Sequence, residues 1–357
     1  MLPIYLEMKR CAENGIRGVL GTIIRTEGST YQKEGSKCFW AEDGKLTGLL
    51  SGGCVEGDLA EHAREVLNHF SCKTLAYDFR DKGDDLWGLG LGCNGSIDIF
   101  LEPFDPVHLR ESTERSLEIY QKADNYETSL ATIVEAETPS LIGKKWMVKN
   151  NSSDPVKSGL HSVTYEKEKV LVFTDTITPT PRLTLFGAGP DAVPLVNGAK
   201  QLNWHVSVID YRPSFVNKQN FPEADQLLCI PKGKWPKLEL ESCSFVVIMT
   251  HHFDQDLLLL EQILETDVPY IGVLGPNKRT YQLMDRLGRE FHEECLSRLY
   301  SPIGLDIGSQ TPEEIALSIL AEMVMVHRGK GSGKPLHVMK ETSFTKYLHK
   351  KVGELAF

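Results

Sequence analysis

The chain has 357 residues, 41% of them hydrophobic, which is enough to bury two or three cores and too much for a single small module. Its 39 basic side chains against 49 acidic ones leave a net charge of −10, and that balance argues against a general binder of nucleic acid or anionic membrane. No run of about 18 uncharged apolar residues occurs, Met1 to Glu7 lacks the pattern of a secretory leader, and the eight cysteines show no CxxC or CxH spacing, so the chain reads as a cytoplasmic protein with reduced, mostly buried thiols.

In chain order, short β-rich runs come first: Val19–Ile24, Lys37–Trp40, Ser96–Leu101 and Leu130–Val134. Turn signals such as Glu42-Asp43-Gly44 separate them, and apolar spacing predicts a helix from about Val55 to Phe70, so the first part, residues 1–178, reads as a mixed α+β domain. Gly28 to Gly35 is a loop between strands, and Asn150 to Pro155 is a surface loop. Two alternate prolines in Thr178-Pro179-Thr180-Pro181, after the strand Val170–Phe173, mark a linker or domain entrance.

From residue 182 to 328 the rhythm becomes strand, helix, strand, helix, which implies a parallel sheet covered on both faces. Leu183–Phe186 leads into Gly187-Ala188-Gly189-Pro190-Asp191-Ala192, a helix to about Leu202, and the strand His205–Asp210. Further strands are Phe245–Met249 and Tyr270–Leu274, and Thr311-Pro312-Glu313-Glu314 opens a capped helix through His327. Residues 329–357 form a tail; from Arg328 through Lys351 the sequence gathers Arg328, Lys330, Lys334, Lys340, Lys346, Lys350 and Lys351 with one acid, Glu341. It reads as a solvated end, or as a docking arm for an acidic partner.

Two glycine-flanked cysteines carry the chemistry. Cys54 lies in Ser51-Gly52-Gly53-Cys54-Val55-Glu56-Gly57, and Cys93 in Gly88-Leu89-Gly90-Leu91-Gly92-Cys93-Asn94-Gly95. Glycine brings backbone close to a ligand, and a helix starting after Cys54 offers N–H groups that favour thiolate and attract anions. In the second half, Gly187 and Gly189 follow a strand and open a helix, and Asp210 ends the next strand 21 residues after Gly189. That context fits a Rossmann dinucleotide loop, with Gly189 admitting pyrophosphate and Asp210 holding a ribose hydroxyl. Thr250-His251-His252 and Gly275-Pro276-Asn277-Lys278-Arg279 belong at the ends of later strands. Lys278 and Arg279 hold phosphate or carboxylate there, or are solvated charge.

Taken together, Gly28-Ser29 with Gly35, the Cys54 segment, and Asp85-Leu86-Trp87 running into the Cys93 segment resemble the XdhC/CoxI family, the accessory proteins of xanthine dehydrogenase and related molybdenum hydroxylases. The second half resembles that family's Rossmann domain in Gly187-Ala188-Gly189, Asp210-Tyr211-Arg212, Thr250-His251-His252 and Ser301 to Gly308. Two departures are Thr30-Tyr31-Gln32, where the family often has proline and a basic residue, and Cys38 in place of methionine.

The resemblance implies a factor that binds molybdenum cofactor, supports its sulfuration and inserts it into a xanthine dehydrogenase-type hydroxylase: a chaperone rather than a catalyst. It also implies a cysteine desulfurase or sulfurtransferase as partner, and a homodimer. On this reading the cofactor sits between the two domains. Cys54 and Cys93 face the metal or its dithiolene, Glu56 bonds pterin nitrogens, the Gly52, Gly53 and Gly92 segments approach the ligand, and the Rossmann loop holds phosphate, NAD(P) or another nucleotide. An NAD(P)-dependent oxidoreductase and a purely structural adaptor are the alternatives.

Overall fold

The computed structural model describes residues 1–53, 55–80, 95–148, 158–235, 240, 244–289 and 291–334. Cys54, Gly92, Cys93, the loop at 150–155 and the tail from 335 onward lie outside the described residues. The chain divides into two compact units that meet at Thr180 and Pro181.

Unit 1 opens with helix α1 (Leu2–Glu13), whose Ile4, Met8 and Cys11 share one buried face. Strands β1 (Gly18–Gly28), β2 (Lys37–Ala41) and β3 (Leu46–Gly48) follow, then α2 (Glu56–His69), β4 (Lys73–Asp78) and β5 (Gly95–Phe104). The five strands form an antiparallel sheet in the order β3-β2-β1-β5-β4. Next come α3 (Arg110–Asn125), β6 (Thr128–Glu135), β7 (Lys145–Val148), β8 (Gly159–Tyr165) and β9 (Glu168–Ile177), the strands pairing antiparallel as β7-β6-β9-β8.

The central strand β1 is buried on both faces because both are covered. Val19 and Ile23 pack with Leu59, Ala63, Val66 and Leu67 of α2, residues at the i, i+4, i+7, i+8 spacing of one helix face. Leu20 packs with α1 and α3, while Ile24 and Phe100 meet Val134 and Phe173 of the second sheet.

Unit 2 alternates β10 (Arg182–Phe186), α4 (Ala192–Gln201), β11 (His205–Asp210), β12 (Gln226–Cys229), β13 (Ser244–Ile248), α5 (Phe253–Leu264), β14 (Tyr270–Val273), α6 (Asn277–Leu287), α7 (Glu293–Leu296), β15 (Leu299–Tyr300) and α8 (Pro312–Arg328). All strands pair parallel in the order β12-β11-β10-β13-β14-β15. This is the doubly wound Rossmann order, and the crevice at its switch point opens between the ends of β10 and β13. Strands β13 and β14 are buried throughout because α4 and α8 cover one face and α5 and α6 the other. The predicted cap of α8 is present: Thr311 Oγ1 accepts from Glu314 N, and the Glu314 carboxylate accepts from Thr311 N.

Sequence periodicity locates β1, β2, β5, β6, β9, β10, β11, β13 and β14, and misses β3, β4, β7, β8, β12 and β15 as well as helix α3. That helix carries twelve polar residues in RESTERSLEIYQKADN, so its apolar stripe is too thin to read without knowing what it packs on.

Candidate functional site

Three stretches far apart in sequence converge at one end of the inner strands of the first sheet. Gly28 (φ +70) ends β1 and pairs with Gly95 at the start of β5. A Cβ on Gly95 would strike the backbone of Glu27 and Ser29, so only glycine lets the strand that follows the Cys93 segment close onto this turn. Two residues further on, Tyr31 is 59% exposed. Its ring lies against Gly52, where a Cβ would sit 3.5 Å from Cδ2 and Cε2. Gly52 (φ +74) and Gly53 (φ +108) both occupy left-handed backbone, which L side chains adopt only with strain, and the space beside Gly53 is open.

Glu56 organises this loop. Its Oε1 accepts from Leu50 N at 3.2 Å and Ser51 N at 3.0 Å. Its Oε2 accepts from Ser51 Oγ at 2.6 Å, Gly53 N at 3.0 Å and Val55 N at 3.3 Å. Val55 N also donates to Ser51 Oγ at 3.0 Å, so serine and glutamate together satisfy donors at the head of α2. Burial pushes the Glu56 carboxyl up, but the hydrogen bonds from Ser51, Leu50 and neighbouring N–H groups outweigh it, and the group lies below the ordinary carboxylate value.

The expected contact of Glu56 with pterin nitrogens meets a competing set of donors. An ionised carboxylate is acceptor-only with about four lone-pair sites, and those of Glu56 are taken by its own loop, leaving none for pterin nitrogens. The N–H groups on either side of Cys54, expected to favour its thiolate, are likewise engaged by Glu56.

Among the described residues no group of three or more His, Cys, Asp or Glu is placed to hold a metal. Described thiols elsewhere are poor nucleophiles. Burial pushes Cys38 and Cys72 up to about 12 and Cys11 up to about 11, so none of the three is a thiolate at neutral pH.

In unit 2, Gly187 (φ +117) turns the chain out of β10 so close to Met249 that a Cβ would strike its carbonyl. Asp210, 1% exposed, faces this loop. Its Oδ2 accepts from Ala188 N and Arg212 Nη2, each at 2.7 Å, and its Oδ1 from Arg212 N at 2.8 Å and Nε at 3.0 Å. Asp191, at the head of α4, accepts from His251 Nε2 at 2.8 Å when that nitrogen carries the proton. His251 sits in left-handed backbone (φ +57) just past β13, so the ion pair bridges the switch point. The bond to Asp191 raises the imidazole above its ordinary value. Burial raises the Asp191 carboxyl, and the partnership with His251 more than reverses that.

The adjacent histidines have different partners. Lys232 Nζ lies 2.8 Å from His252 Nε2. Arg279 donates to Asp256 Oδ2 at 2.6 Å and lies over the Phe253 ring, while Thr250 Oγ1 donates to Asp256 Oδ1 at 2.5 Å. Arg279 thus holds a carboxylate, but an internal one. Lys278, in the first turn of α6, is exposed.

A separate cleft of about 750 Å³ in unit 1 is lined by Cys72, Glu102, Arg110, Arg115 and Lys145 among others. It includes neither Tyr31 nor Gly52 nor Glu56, and Lys145 in its wall is paired with Glu102 at 2.8 Å.

Comparison with known proteins shows the family of the chain. The sequence profile of the XdhC and CoxI family matches residues 11–78, and that of the XdhC Rossmann domain matches residues 183–323. Over 328 residues the chain is 32% identical to a probable xanthine dehydrogenase subunit of Bacillus subtilis (strain 168), covering 88% of this chain and 95% of that protein. The chain belongs to the XdhC and CoxI family. It is also 22% identical over 332 residues to the molybdenum cofactor insertion chaperone PaoD of Escherichia coli (strain K12), covering 90% of this chain and 88% of PaoD. A crystal structure described as a xanthine dehydrogenase from Bacillus halodurans matches with a TM-score of 0.74 at 35% identity, covering 93% of this chain and 97% of that one.

In this XdhC and CoxI member, sequence reasoning missed Tyr31, Ser51 and Asp191. Ser51 had a signal, since a hydroxyl five residues before a first-turn glutamate is close to a capping pattern. Tyr31 had none, because its partner Gly52 is distant in sequence.

Proposed function

We propose that the chain is an accessory factor that binds molybdenum cofactor, supports its sulfuration and delivers it to a xanthine dehydrogenase-type molybdenum hydroxylase. The observation that carries this reading is the convergence of Gly28–Tyr31, Gly52–Gly53 and the start of β5 at one end of the first sheet's inner strands. Family membership and the likeness to PaoD over most of both chains support it.

The residues present fit such a cargo. The open, left-handed Gly53 lets a ligand approach the main chain, and the exposed Tyr31 ring offers a flat apolar face for a pterin. Cys54 and Cys93 bring soft thiolate donors, suited to a thiophilic centre. Glu56 keeps the loop in shape rather than touching the ligand. Sulfur for the metal centre comes from a cysteine desulfurase or sulfurtransferase that meets this protein while it holds the cofactor.

The test is molybdenum and pterin content per chain after anaerobic incubation with molybdenum cofactor and gel filtration, followed by transfer to the apo-hydroxylase. Near-stoichiometric metal and pterin, and a hydroxylase activated by the loaded protein, are expected. A chain that retains neither overturns the proposal. Within it, Tyr31→Ala should weaken pterin retention about five- to tenfold, the size of one aromatic stacking contact, and Tyr31→Phe should leave it unchanged. Equal retention by the alanine variant removes Tyr31 from the site.

A further inference from the structure

The Rossmann unit has the strand order, the glycine loop and the carboxylate of a dinucleotide site, yet several of its ligand contacts are already used. In this fold the second glycine of the loop lets pyrophosphate approach the backbone, the helix N-terminus favours its charge, and the acid ending the second strand accepts from ribose. Here a Cβ on Gly189 would strike Asp191 Oδ1 and would lie 3.8 Å from His251 Nε2. The Asp191 carboxylate therefore lies over the glycine that ought to admit a phosphate, and at the positive end of α4.

Three of the loop donors are spent as well. Gly187 N donates to Ile209 O at 2.9 Å, Ala188 N to Asp210 at 2.7 Å and Ala192 N to Gly189 O at 3.0 Å, while Pro190 has no N–H. Asp210, with four donors on two oxygens, has no acceptor site left for a ribose hydroxyl.

We infer that the Asp191 carboxylate, held over Gly189 by His251, fills the place a dinucleotide pyrophosphate takes in this fold, and closes the unit to NAD(P) and related diphosphates. Asp191 is then a specificity-determining residue: an internal anion that excludes external ones by repelling their charge. The inference stands apart from the carrier proposal, because it concerns unit 2 alone and holds whether or not unit 1 retains molybdenum cofactor.

The experiment is titration of the full-length chain with NADH, read by energy transfer from tryptophan and by calorimetry, for wild type, Asp191→Asn and His251→Gln. Wild type should show no saturable binding up to about 1 mM. Asp191→Asn keeps the size of the side chain and a hydrogen bond to His251 but loses the charge, and should bind NADH at least about tenfold more tightly than wild type. His251→Gln leaves the carboxylate on the loop and should stay closed. Asp191→Ser, with a capping hydroxyl at the helix start, gives the same gain if the asparagine variant is unstable. Micromolar binding by wild type overturns the inference. So does a well-folded Asp191→Asn with no gain, since something other than the carboxylate would then close the loop.

Discussion

Replacing Cys54 with serine is expected to abolish molybdenum retention, lowering metal per chain at least about tenfold after gel filtration. Serine keeps the size of the side chain and a hydrogen-bonding group, but its oxygen is hard and stays protonated at neutral pH, whereas thiolate suits a thiophilic centre. The measurement separates two roles. Loss of metal together with pterin would make the cysteine an anchor for the whole cofactor, and loss of metal with pterin kept would leave the tyrosine and glycine face as the pterin seat. Unchanged stoichiometry of both removes Cys54 from the site. Cys93→Ser tests the second thiol in the same way.

Glu56→Ala should have the largest effect among residues that do not touch the cargo. It removes the acceptor of Leu50 N, Ser51 N, Ser51 Oγ, Gly53 N and Val55 N at once. Leu50 and Val55 are buried, so their N–H groups lose a partner where water is scarce. Charge-assisted hydrogen bonds of this kind contribute about 1.5–3 kcal/mol each, with strong overlap when one group takes several, and a total cost of about 2–3 kcal/mol is expected. In a unit of this size that lowers the melting temperature by roughly 5–10 °C. Cofactor retention should fall with it, because Gly52 and Gly53 lose the tether that holds their left-handed backbone.

The pH dependence follows from the direction of the Glu56 shift. Its folded-state value is depressed, so its stabilisation is complete above the ordinary carboxylate value and is lost as the pH falls through the depressed one. The difference in melting temperature between wild type and Glu56→Ala should be constant around neutrality and shrink below about pH 4. A difference that persists unchanged into strong acid would mean that the glutamate acts by packing rather than by charge.

Much of the site was legible because it is local. Glycines on both sides of a cysteine, and an acid two residues later in a helix's first turn, announce an ordered loop without any knowledge of what packs on it. The role of that acid was not legible. A first-turn glutamate is equally able to face a ligand or to reach back to its own main chain, and only the folded path of residues 50–55 directs five donors at Glu56. The Rossmann loop shows the same division. Gly187, Gly189 and Asp210 have the spacing of a dinucleotide site, but Asp191 meets His251 across 60 residues, and Arg212 folds back onto Asp210.

By itself the sequence determined the two kinds of architecture, since periods of two and of 3.6 residues and the alternation of strand with helix are properties of consecutive residues. It also determined the family, through motifs whose residues are contiguous. The tertiary structure alone decided which polar groups are already satisfied. Hydrogen-bond capacity is finite, and whether Glu56, Asp191 and Asp210 face a ligand or their own fold depends on donors brought in from other parts of the chain.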